Sequence, residues 1–286
     1  CAEIGRANGA QIEQLAANAL RARYPYLSVT DDADGLVETG GAGHISPRRM
    51  VEAQTRLAER AGAVCIKHAA RSIRPVSRGV EIELWDGTNV VAEKALITAG
   101  AFTSACGLSP VDLGLTVFGR TTMLVRLEGD ALRVLQDMPT MIDAAIGAYI
   151  LPPILYPDGH LYQKIGVGRD TDPRFTALSD LQEWFKGPGL ESDRRDFTAR
   201  LKELFPVLNT CDFWMSDTCA VTQTRSGLPI IDFAGDHRMA VAVGGCGKGA
   251  KGSDEWGRIA ADLIAGKPWS SQVKRENLVL AVESVA

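Results

Sequence analysis

The feature that most constrains the fold lies near the end of the chain, where a short apolar strand, a glycine-rich loop and a helix follow one another. The strand is centred on Val241, and the loop runs from Gly244 to Gly252. Apolar residues at helical spacing then mark one face of the helix: Trp256, Ile259, Ala260 and Leu263. Because the first turn of a helix presents unpaired N–H groups and a partial positive charge, this order of elements usually holds an anion or a polar ring edge.

The same loop also fits the dinucleotide-binding pattern G-x-G-x-x-G, since residues 247–252 read GKGAKG between a strand and a helix. That fingerprint needs a second parallel strand after the helix, with an acid at its end for the ribose, and only about 20 residues of weak pattern follow here. We favour a loop at the edge of a polar ring. A purely structural glycine turn and a dinucleotide-binding fold remain alternatives.

Composition and charge narrow the possible functions. The chain has 286 residues, of which 45% are hydrophobic and 23% charged, with a formal net charge of -4. This composition predicts a globular protein long enough for two domains. Acidic and basic residues are interspersed, so we expect no nucleic-acid partner. The sequence contains neither an apolar run of about 20 residues nor a basic-then-apolar N-terminus, so we expect a cytoplasmic protein with no membrane partner.

Cysteine and histidine spacing predicts neither a metal site nor a disulfide framework. The six cysteines lie apart, without a C-x-x-C pair, at Cys1, Cys65, Cys106, Cys211, Cys219 and Cys246. The four histidines are equally scattered, at His44, His68, His160 and His237. We expect most of the cysteines to be buried thiols. No serine stands in a G-x-S-x-G setting, so a hydrolase lacks support.

Local signals predict the elements of the first hundred residues. Ser46 and Pro47 suit the cap and first position of a helix that Gly62 ends, and residues 64–66 predict a short strand. Residues 79–97 predict a β-hairpin that turns at Asp86-Gly87. Its second arm continues into the apolar run 95–97, which is typical of a buried strand of a parallel sheet.

From Leu108 to Met215 the pattern changes to alternating strands separated by proline-rich turns. Residues 121–127 and 161–166 are two of these strands, and Asp193 to Phe205 has a helical pattern. This segment is a candidate second domain.

Two ordered segments carry a family resemblance. Residues 219–232 read CAVTQTRSGLPIID and residues 241–251 read VAVGGCGKGAK. Together they resemble the C-terminal flavin-contacting signature of the sarcosine oxidase and D-amino-acid oxidase family of FAD-dependent oxidoreductases. In addition, residues 43–47 (GHISP) resemble the start of the family's helix behind the FAD site, and residues 97–102 (ITAGAF) resemble its T-x-G-A-W strand end. The matches span most of the chain.

The resemblance implies an α/β (mixed α+β) fold: a truncated glutathione-reductase-type FAD-binding domain plus an antiparallel-sheet substrate domain. Residues 1–107 and 217–286 would form the FAD-binding domain, and residues 108–216 the substrate domain. The family normally opens with a strand, G-x-G-x-x-G and a helix that hold the ADP half of FAD. Nothing before Gly40 resembles that unit, so we expect the chain to be a fragment.

The resemblance also implies which residues bind FAD. The strand end supplies Ala99, Gly100 and Ala101. Cys219 stands where sarcosine oxidases attach flavin through a thioether, and an inert core thiol is the alternative. The glycine loop contributes backbone N–H groups and a lysine through Gly244, Gly245, Gly247, Lys248, Gly249, Ala250 and Lys251.

Two lysines are the catalytic candidates. Lys251 resembles the family lysine near the flavin ring and the substrate carboxylate, and a solvated loop lysine is the alternative. Lys164 resembles a lysine over the flavin N5, where a cation would offset negative charge that develops on oxygen. Most strand lysines face solvent, which is the alternative for Lys164.

The substrate pocket departs from the family pattern at two positions. Gly168, followed by Arg169, stands where the family often has a histidine, and Val221 stands where relatives carry an aromatic residue or an arginine. A small N-methyl amino acid is therefore in doubt as the substrate. Weaker pocket candidates, each of which has a structural alternative, are Lys248, Arg120, Tyr149 and Tyr156.

The function that the resemblance implies is oxidation of a C–N bond of a small-molecule amine or amino acid, with hydride transfer to FAD. Oxygen would reoxidise the flavin, and the products would be an imine and hydrogen peroxide. One alternative is an FAD-dependent dehydrogenase that passes electrons to a quinone or carrier protein. Another is a catalytically silent relative or interaction subunit. No oligomeric state is predicted.

Overall fold

The computed structural model of the protein describes residues 2–280, and Cys1 and residues 281–286 lie outside the described part. The α-helices in it are α1 (Ala2–Ala7), α2 (Ala17–Arg23), α3 (Pro47–Arg60), α4 (Phe102–Ala105), α5 (Gly129–Leu135), α6 (Leu178–Lys186), α7 (Glu191–Leu204) and α8 (Gly249–Ile264). The strands are β1 (Ile12–Ala16), β2 (Asp34–Glu38), β3 (Ala70–Val76), β4 (Gly79–Leu84), β5 (Asn89–Ala92), β6 (Ala95–Ile97), β7 (Thr116–Arg126), β8 (Met141–Asp143), β9 (Ala148–Leu155), β10 (Leu161–Gly166), β11 (Arg174–Phe175), β12 (Trp214–Gln223), β13 (Ile230–Ala234) and β14 (Asp236–Val243). Short 3₁₀ helices cover Pro206–Thr210 and Arg275–Asn277. This content is a mixed α/β fold with several antiparallel pairs, as the sequence predicts.

The chain forms two compact units. Unit 1 comprises Cys1–Ser46, Arg120–Asp170 and Gly187–Thr218, and unit 2 comprises Pro47–Gly119, Thr171–Lys186 and Cys219–Ala286. Two of the five boundaries fall inside strands, after Gly119 in β7 and after Thr218 in β12. The functional division into an FAD-binding domain (1–107 and 217–286) and a substrate domain (108–216) stays a prediction.

Unit 1 is built on an antiparallel sheet in which β7, β10, β9 and β8 are neighbours in that order. One face of this sheet is buried against α5 and α7, with Val125, Ile150 and Ile165 from the strands packed with Phe197 and Leu201 of α7. The observed bounds of β7, β10 and α7 confirm the two strands and the helix that the sequence predicts here.

Unit 2 is layered around a sheet of order β13, β14, β6. β14 and β6 run parallel, with Val241 opposite Ile97, which confirms the predicted parallel strand. On one face of the sheet, Ala240 and its neighbours pack against α8 residues such as Ile259. Side chains on the other face pack with residues such as Val80 of β4.

Local signals in unit 2 predict most of its elements correctly. Helix α3 begins at Pro47, and Gly62 after it takes the left-handed φ of 97°. The hairpin of β4 and β5 turns at Asp86-Gly87, and the chain then enters β6 in a different sheet.

The predictions for residues 64–66 and for the burial of the cysteines were wrong. Residues 64–66 are not a strand, and Val64 is 85% exposed. Strand propensity is realised only where a neighbouring edge supplies hydrogen bonds, and no described strand pairs with this segment. Most cysteines were expected to be buried, but of those between residues 2 and 280 only Cys246 is, while Cys65 and Cys219 are exposed. Burial of a thiol depends on tertiary packing, which spacing does not report.

Between residues 2 and 280, no helix is long and apolar enough to cross a membrane. The same residues contain no group of three or more His, Cys, Asp or Glu side chains that could hold a metal ion.

Two glycines inside α8 provide a test of its packing. Replacing glycine by alanine inside a helix stabilises it by about 1 kcal/mol from propensity alone. A Cβ on Gly252 would lie 2.9 Å from the Trp256 ring, whereas a Cβ on Gly257 would meet nothing within 4 Å. We expect Gly257→Ala to raise the free energy of unfolding by about 1 kcal/mol and Gly252→Ala to lose that gain. Urea denaturation of both variants measures the difference, and equal stabilisation would contradict the contact with Trp256.

Candidate functional site

The ends of two parallel strands bring two glycine-containing segments to one edge of the sheet in unit 2. β6 leads into Ala99–Ala101 and α4, and β14 leads into Gly244–Lys248 and α8. Because β6 and β14 are parallel and in register, their carboxyl ends lie at the same edge. Ligands of α/β sheets bind at that edge. The structure therefore places the predicted cofactor-binding residues of both segments there.

The glycine loop after β14 has an unusual backbone. Gly244, Cys246 and Gly247 have φ values of 77°, 49° and 70°. The left-handed conformation costs a residue other than glycine about 1 kcal/mol. Cys246 is held in it because its backbone N–H donates to Thr222 O at 3.0 Å and its buried thiol to Gly244 O at 3.1 Å. Such strain, maintained by the surroundings, is common where a loop contacts a ligand.

The loop is shorter than the sequence predicts. It was expected to extend to Gly252, but α8 already begins at Gly249, so Ala250 and Lys251 belong to its first turn. The glycines in this turn made its sequence look like a loop rather than a helix. Gly252 is nevertheless helical, and its bare Cα leaves room for the Trp256 ring.

The first turn of α8 carries cations where the helix dipole favours anions. Lys248 is the N-cap residue, Lys251 follows within the first turn, and this turn contains no acidic residue. Both lysines are exposed. A cation at this position costs about 0.3–1 kcal/mol in a bare helix. An anion bound at the helix N-terminus would reverse that cost.

Strand β12 runs beside the glycine loop. Its Thr222 accepts the hydrogen bond from Cys246, and a Cβ on Gly247 would lie 3.9 Å from a methyl group of Val221. Cys219 is two residues earlier, so it projects from the same face of the strand as Val221. Cys219 is exposed, and its carbonyl accepts a hydrogen bond of 2.9 Å from the Trp184 indole.

The second catalytic candidate, Lys164, lies in unit 1. It is half-buried on β10, between Leu124 of β7 and Leu151 of β9. Lys164 and Lys251 thus belong to different units.

The weaker pocket candidates of unit 1 lie on the same sheet. Arg120 is on β7, and Tyr149 is on β9. Tyr156 follows β9 and packs edge-on against Tyr162, with ring centroids 5.1 Å apart. This contact gives Tyr156 a structural role within the hairpin.

Asp193 is a buried charge that the sequence did not indicate. It is fully buried in the first turn of α7 and lies 3.2 Å from the guanidinium of Arg169, which also pairs with Asp196 at 2.8 Å. Burial raises the pKa of Asp193, and the charge of Arg169 opposes that rise. An acid in a first helical turn is usually an exposed partner of the helix dipole, so the sequence carried no signal of burial.

Comparison with known proteins identifies the fold. The family model described as FAD dependent oxidoreductase (DAO) matches residues 1–263. Glycine oxidase from Geobacillus kaustophilus is 21% identical with a TM-score of 0.73, over 98% of this chain and 69% of that one. NikD, an unusual amino acid oxidase essential for nikkomycin biosynthesis, is 17% identical with a TM-score of 0.73, over 98% and 71%.

A third solved structure extends the comparison. The fructosamine oxidase Amadoriase II from Aspergillus fumigatus is 19% identical with a TM-score of 0.74, over 96% of this chain and 64% of that one. The chain therefore spans less than two thirds of that enzyme. At such identities the likeness concerns the fold alone. No curated protein matches the sequence significantly.

The buried Asp193 predicts a pH dependence of stability. Because its pKa is raised in the folded state, folding favours the protonated form, and the free energy of unfolding falls as the pH rises through the raised pKa. We expect Asp193→Asn to remove this dependence, so that the wild type loses stability relative to the variant between about pH 4 and about pH 7. Urea denaturation at both pH values measures it. Asp130→Asn, which removes an exposed carboxylate of the same unit, is the control. A constant difference between wild type and Asp193→Asn would contradict the prediction.

Proposed function

The chain belongs to the DAO family of FAD-dependent oxidoreductases, and from that premise we propose that it oxidises a C–N bond of a small amine or amino acid. FAD would accept the hydride, and oxygen would be the final acceptor. The observation that carries the proposal is the pair of strand ends in unit 2, where two glycine-containing segments meet the N-terminus of α8. A cytoplasmic location is part of the same proposal.

The residues at this edge fit a flavin. Gly100 has a φ of 54°, and the space where its Cβ would stand is open within 4 Å. Gly244 and Gly247 are left-handed as well, so the backbone of both segments can approach a planar ring closely. Ala99–Ala101 and the loop through Lys251 would hold the ring, which when bound supplies the hydride acceptor.

The positive charges at the start of α8 would stabilise the negative charge that develops on the flavin in this reaction. A reduced flavin carries negative charge near N1 and O2, and a helix N-terminus with Lys248 and Lys251 stabilises negative charge. These lysine positions are electrostatically unfavourable in the helix alone. They become favourable when the negative charge of a reduced flavin lies beside them.

Lys164 would serve the oxygen reaction. Its ammonium group is half-buried on a strand whose neighbours Leu124 and Leu151 are apolar. A cation in partly desolvated surroundings stabilises a developing anion more than a solvated one does. Its role would be to offset negative charge on the reduced oxygen.

A flavin spectrum tests the proposed function. We expect the purified protein to show a flavin absorbance band, or to acquire one when FAD is added. Gly100→Ala would weaken FAD binding by about tenfold, because its Cβ enters the space of the ring. Gly87→Ala is the matched control, since Gly87 is also left-handed (φ 85°) with open space around it. It should lose similar stability but keep FAD affinity.

Acid precipitation of the same sample tests the linkage. A band that stays with the precipitate, and is lost in Cys219→Ser, would support covalent attachment at Cys219; a released band would leave FAD as a dissociable cofactor. No band in any fraction would contradict the proposed function and favour the silent relative.

Substitution of Lys164 separates the two half-reactions. We expect Lys164→Met to slow reoxidation of the reduced flavin by oxygen about 100-fold while flavin reduction by the substrate keeps its rate. Lys186→Met is the control, because Lys186 is 71% exposed and pairs only with Glu183 of its own helix among the interactions observed. Stopped-flow absorbance measures both steps. Equal reoxidation rates in the two variants would exclude Lys164 from the oxygen reaction and favour a dehydrogenase.

A further inference from the structure

A cavity of about 310 Å³ opens in unit 1 where β7 ends. The residues that line it are Arg126, Glu128, Thr210, Cys211, Asp212 and Phe213. Its volume is that of roughly ten water molecules at about 30 Å³ each, and it lies at the lower end of the range for small-molecule sites. The cavity therefore suits a ligand of about ten non-hydrogen atoms.

Arg126 and Phe213 form one wall of this cavity. Arg126 is the last residue of β7, and its backbone N–H donates a hydrogen bond of 3.0 Å to Phe213 O. Its guanidinium carbon lies 4.7 Å from the centroid of the Phe213 ring, and its Nε lies 2.9 Å from a carboxylate oxygen of Glu128. These contacts hold the guanidinium against the ring before any ligand arrives.

Buried side chains separate the cavity from Lys164. On the sheet, Tyr162 stands opposite Arg126, and Leu124 stands opposite Lys164. Tyr162 is 1% exposed and Leu124 is 0% exposed. The Tyr162 ring also packs on Phe213, with ring centroids 6.3 Å apart. The cavity and Lys164 are therefore different places on the sheet.

The cavity presents a donor group and an acceptor group that the protein leaves unpaired. The Nη1 and Nη2 groups of Arg126 donate no hydrogen bond to an acceptor in residues 2–280, and the Asp212 carboxylate has no ion pair within the same residues. The Arg126 side chain is 30% exposed, and Asp212 is exposed as well. A ligand that carries one charge of each sign would satisfy both groups.

Charges of both signs surround the cavity, so a ligand of one sign fits poorly. Arg126 faces Glu128 and Asp212 in the lining. Burial raises the pKa of the Cys211 thiol, the charges of Asp212 and Glu128 raise it further, and the charge of Lys202 lowers it. A ligand with a single charge would be repelled by some of these groups, whereas a zwitterion meets opposite charges at both of its ends.

The remaining surface of the cavity is apolar. The Phe213 ring is 43% exposed, and the half-buried Cys211 thiol stays neutral near pH 7 because its pKa is raised. An aromatic ring and a neutral thiol pack well against hydrocarbon. The ligand therefore combines two opposite charges with a small apolar part.

We propose that this cavity binds a small zwitterion of the amino-acid type. Its carboxylate would lie on Arg126, its ammonium group on Asp212 and its apolar part against Phe213. The ligand is bound as an effector, outside the proposed oxidation site. The proposal rests on unit 1 alone and does not depend on the proposed function.

Isothermal titration calorimetry of the purified protein tests the site with three compounds that share one five-membered ring. 1-Aminocyclopentane-1-carboxylate carries both charges, and it has no hydrogen on the carbon next to nitrogen, so the proposed oxidation would not consume it. Cyclopentanecarboxylate and cyclopentylamine each carry one charge. We expect the zwitterion to bind at least about tenfold more tightly than either of them.

Substitutions in the cavity identify the binding groups. We expect Asp212→Asn and Arg126→Met each to weaken binding of the zwitterion by at least about tenfold, because each leaves one charge of the ligand unpaired. Asp212 is exposed, so Asp212→Asn tests the site even if loss of Arg126 prevents folding. Asp31→Asn and Arg133→Met are the matched controls in unit 1, with side chains 99% and 70% exposed, and should leave binding unchanged.

Alkylation of Cys211 reports on the cavity itself. Peptide mass spectrometry measures how fast each cysteine reacts with iodoacetamide. With the zwitterion at about ten times its dissociation constant, we expect Cys211 to react about tenfold more slowly, because the bound ligand covers the thiol. Cys65, an exposed thiol of unit 2, is the internal control and should keep its rate.

The proposal is overturned if the zwitterion binds no more tightly than the singly charged compounds, if Asp212→Asn binds it like the wild type, or if the Cys211 rate stays unchanged. Binding that is lost in Lys164→Met or Lys251→Met but kept in Asp212→Asn would assign the ligand to the proposed oxidation site and also overturn it. None of these measurements needs a flavin. A protein that binds the zwitterion in this way but shows no flavin band would contradict the proposed function and support this site.

Discussion

The parallel pairing of β6 with β14 is the constraint on which the rest of unit 2 depends. Leu96 and Ala240 point toward α8, whereas Ile97 and Val241 point toward the layer that contains Val80. Both faces are covered, as parallel sheets require. Because the pair is in register, two chain segments far apart in sequence end together, and the loops that follow them meet at one edge.

Glycine has two different uses around this framework. Gly100, Gly244 and Gly247 are left-handed, and there glycine permits a backbone shape. At Gly166 and Gly168 glycine permits contact, because another side chain occupies the space of the missing Cβ. The left-handed glycines allow turns at the ends of strands. The other two leave room for a polar side chain to lie against the strand.

Several positions break local rules of stability in ways that suit a ligand site. Lys248 and Lys251 stand at a helix N-terminus without an acid, Cys246 is held in a left-handed conformation, and Asp193 is a buried carboxylate. Each arrangement costs free energy in the protein alone. Natural sequences usually accept such costs at functional sites.

The elements that the sequence alone determined are those with a strong local pattern: α3 from Pro47, the hairpin at Asp86-Gly87, and α8 with its apolar face, because caps, turns and periodicity act over a few residues. The strand–loop–helix order around Val241 was likewise enough to indicate the candidate cofactor residues of the glycine loop. Only the tertiary structure decided that residues 64–66 stay unpaired and that Asp193 is buried. It also decided that Arg120 lies on Gly168. Pairing and burial depend on partners distant along the chain, so no local pattern could report them.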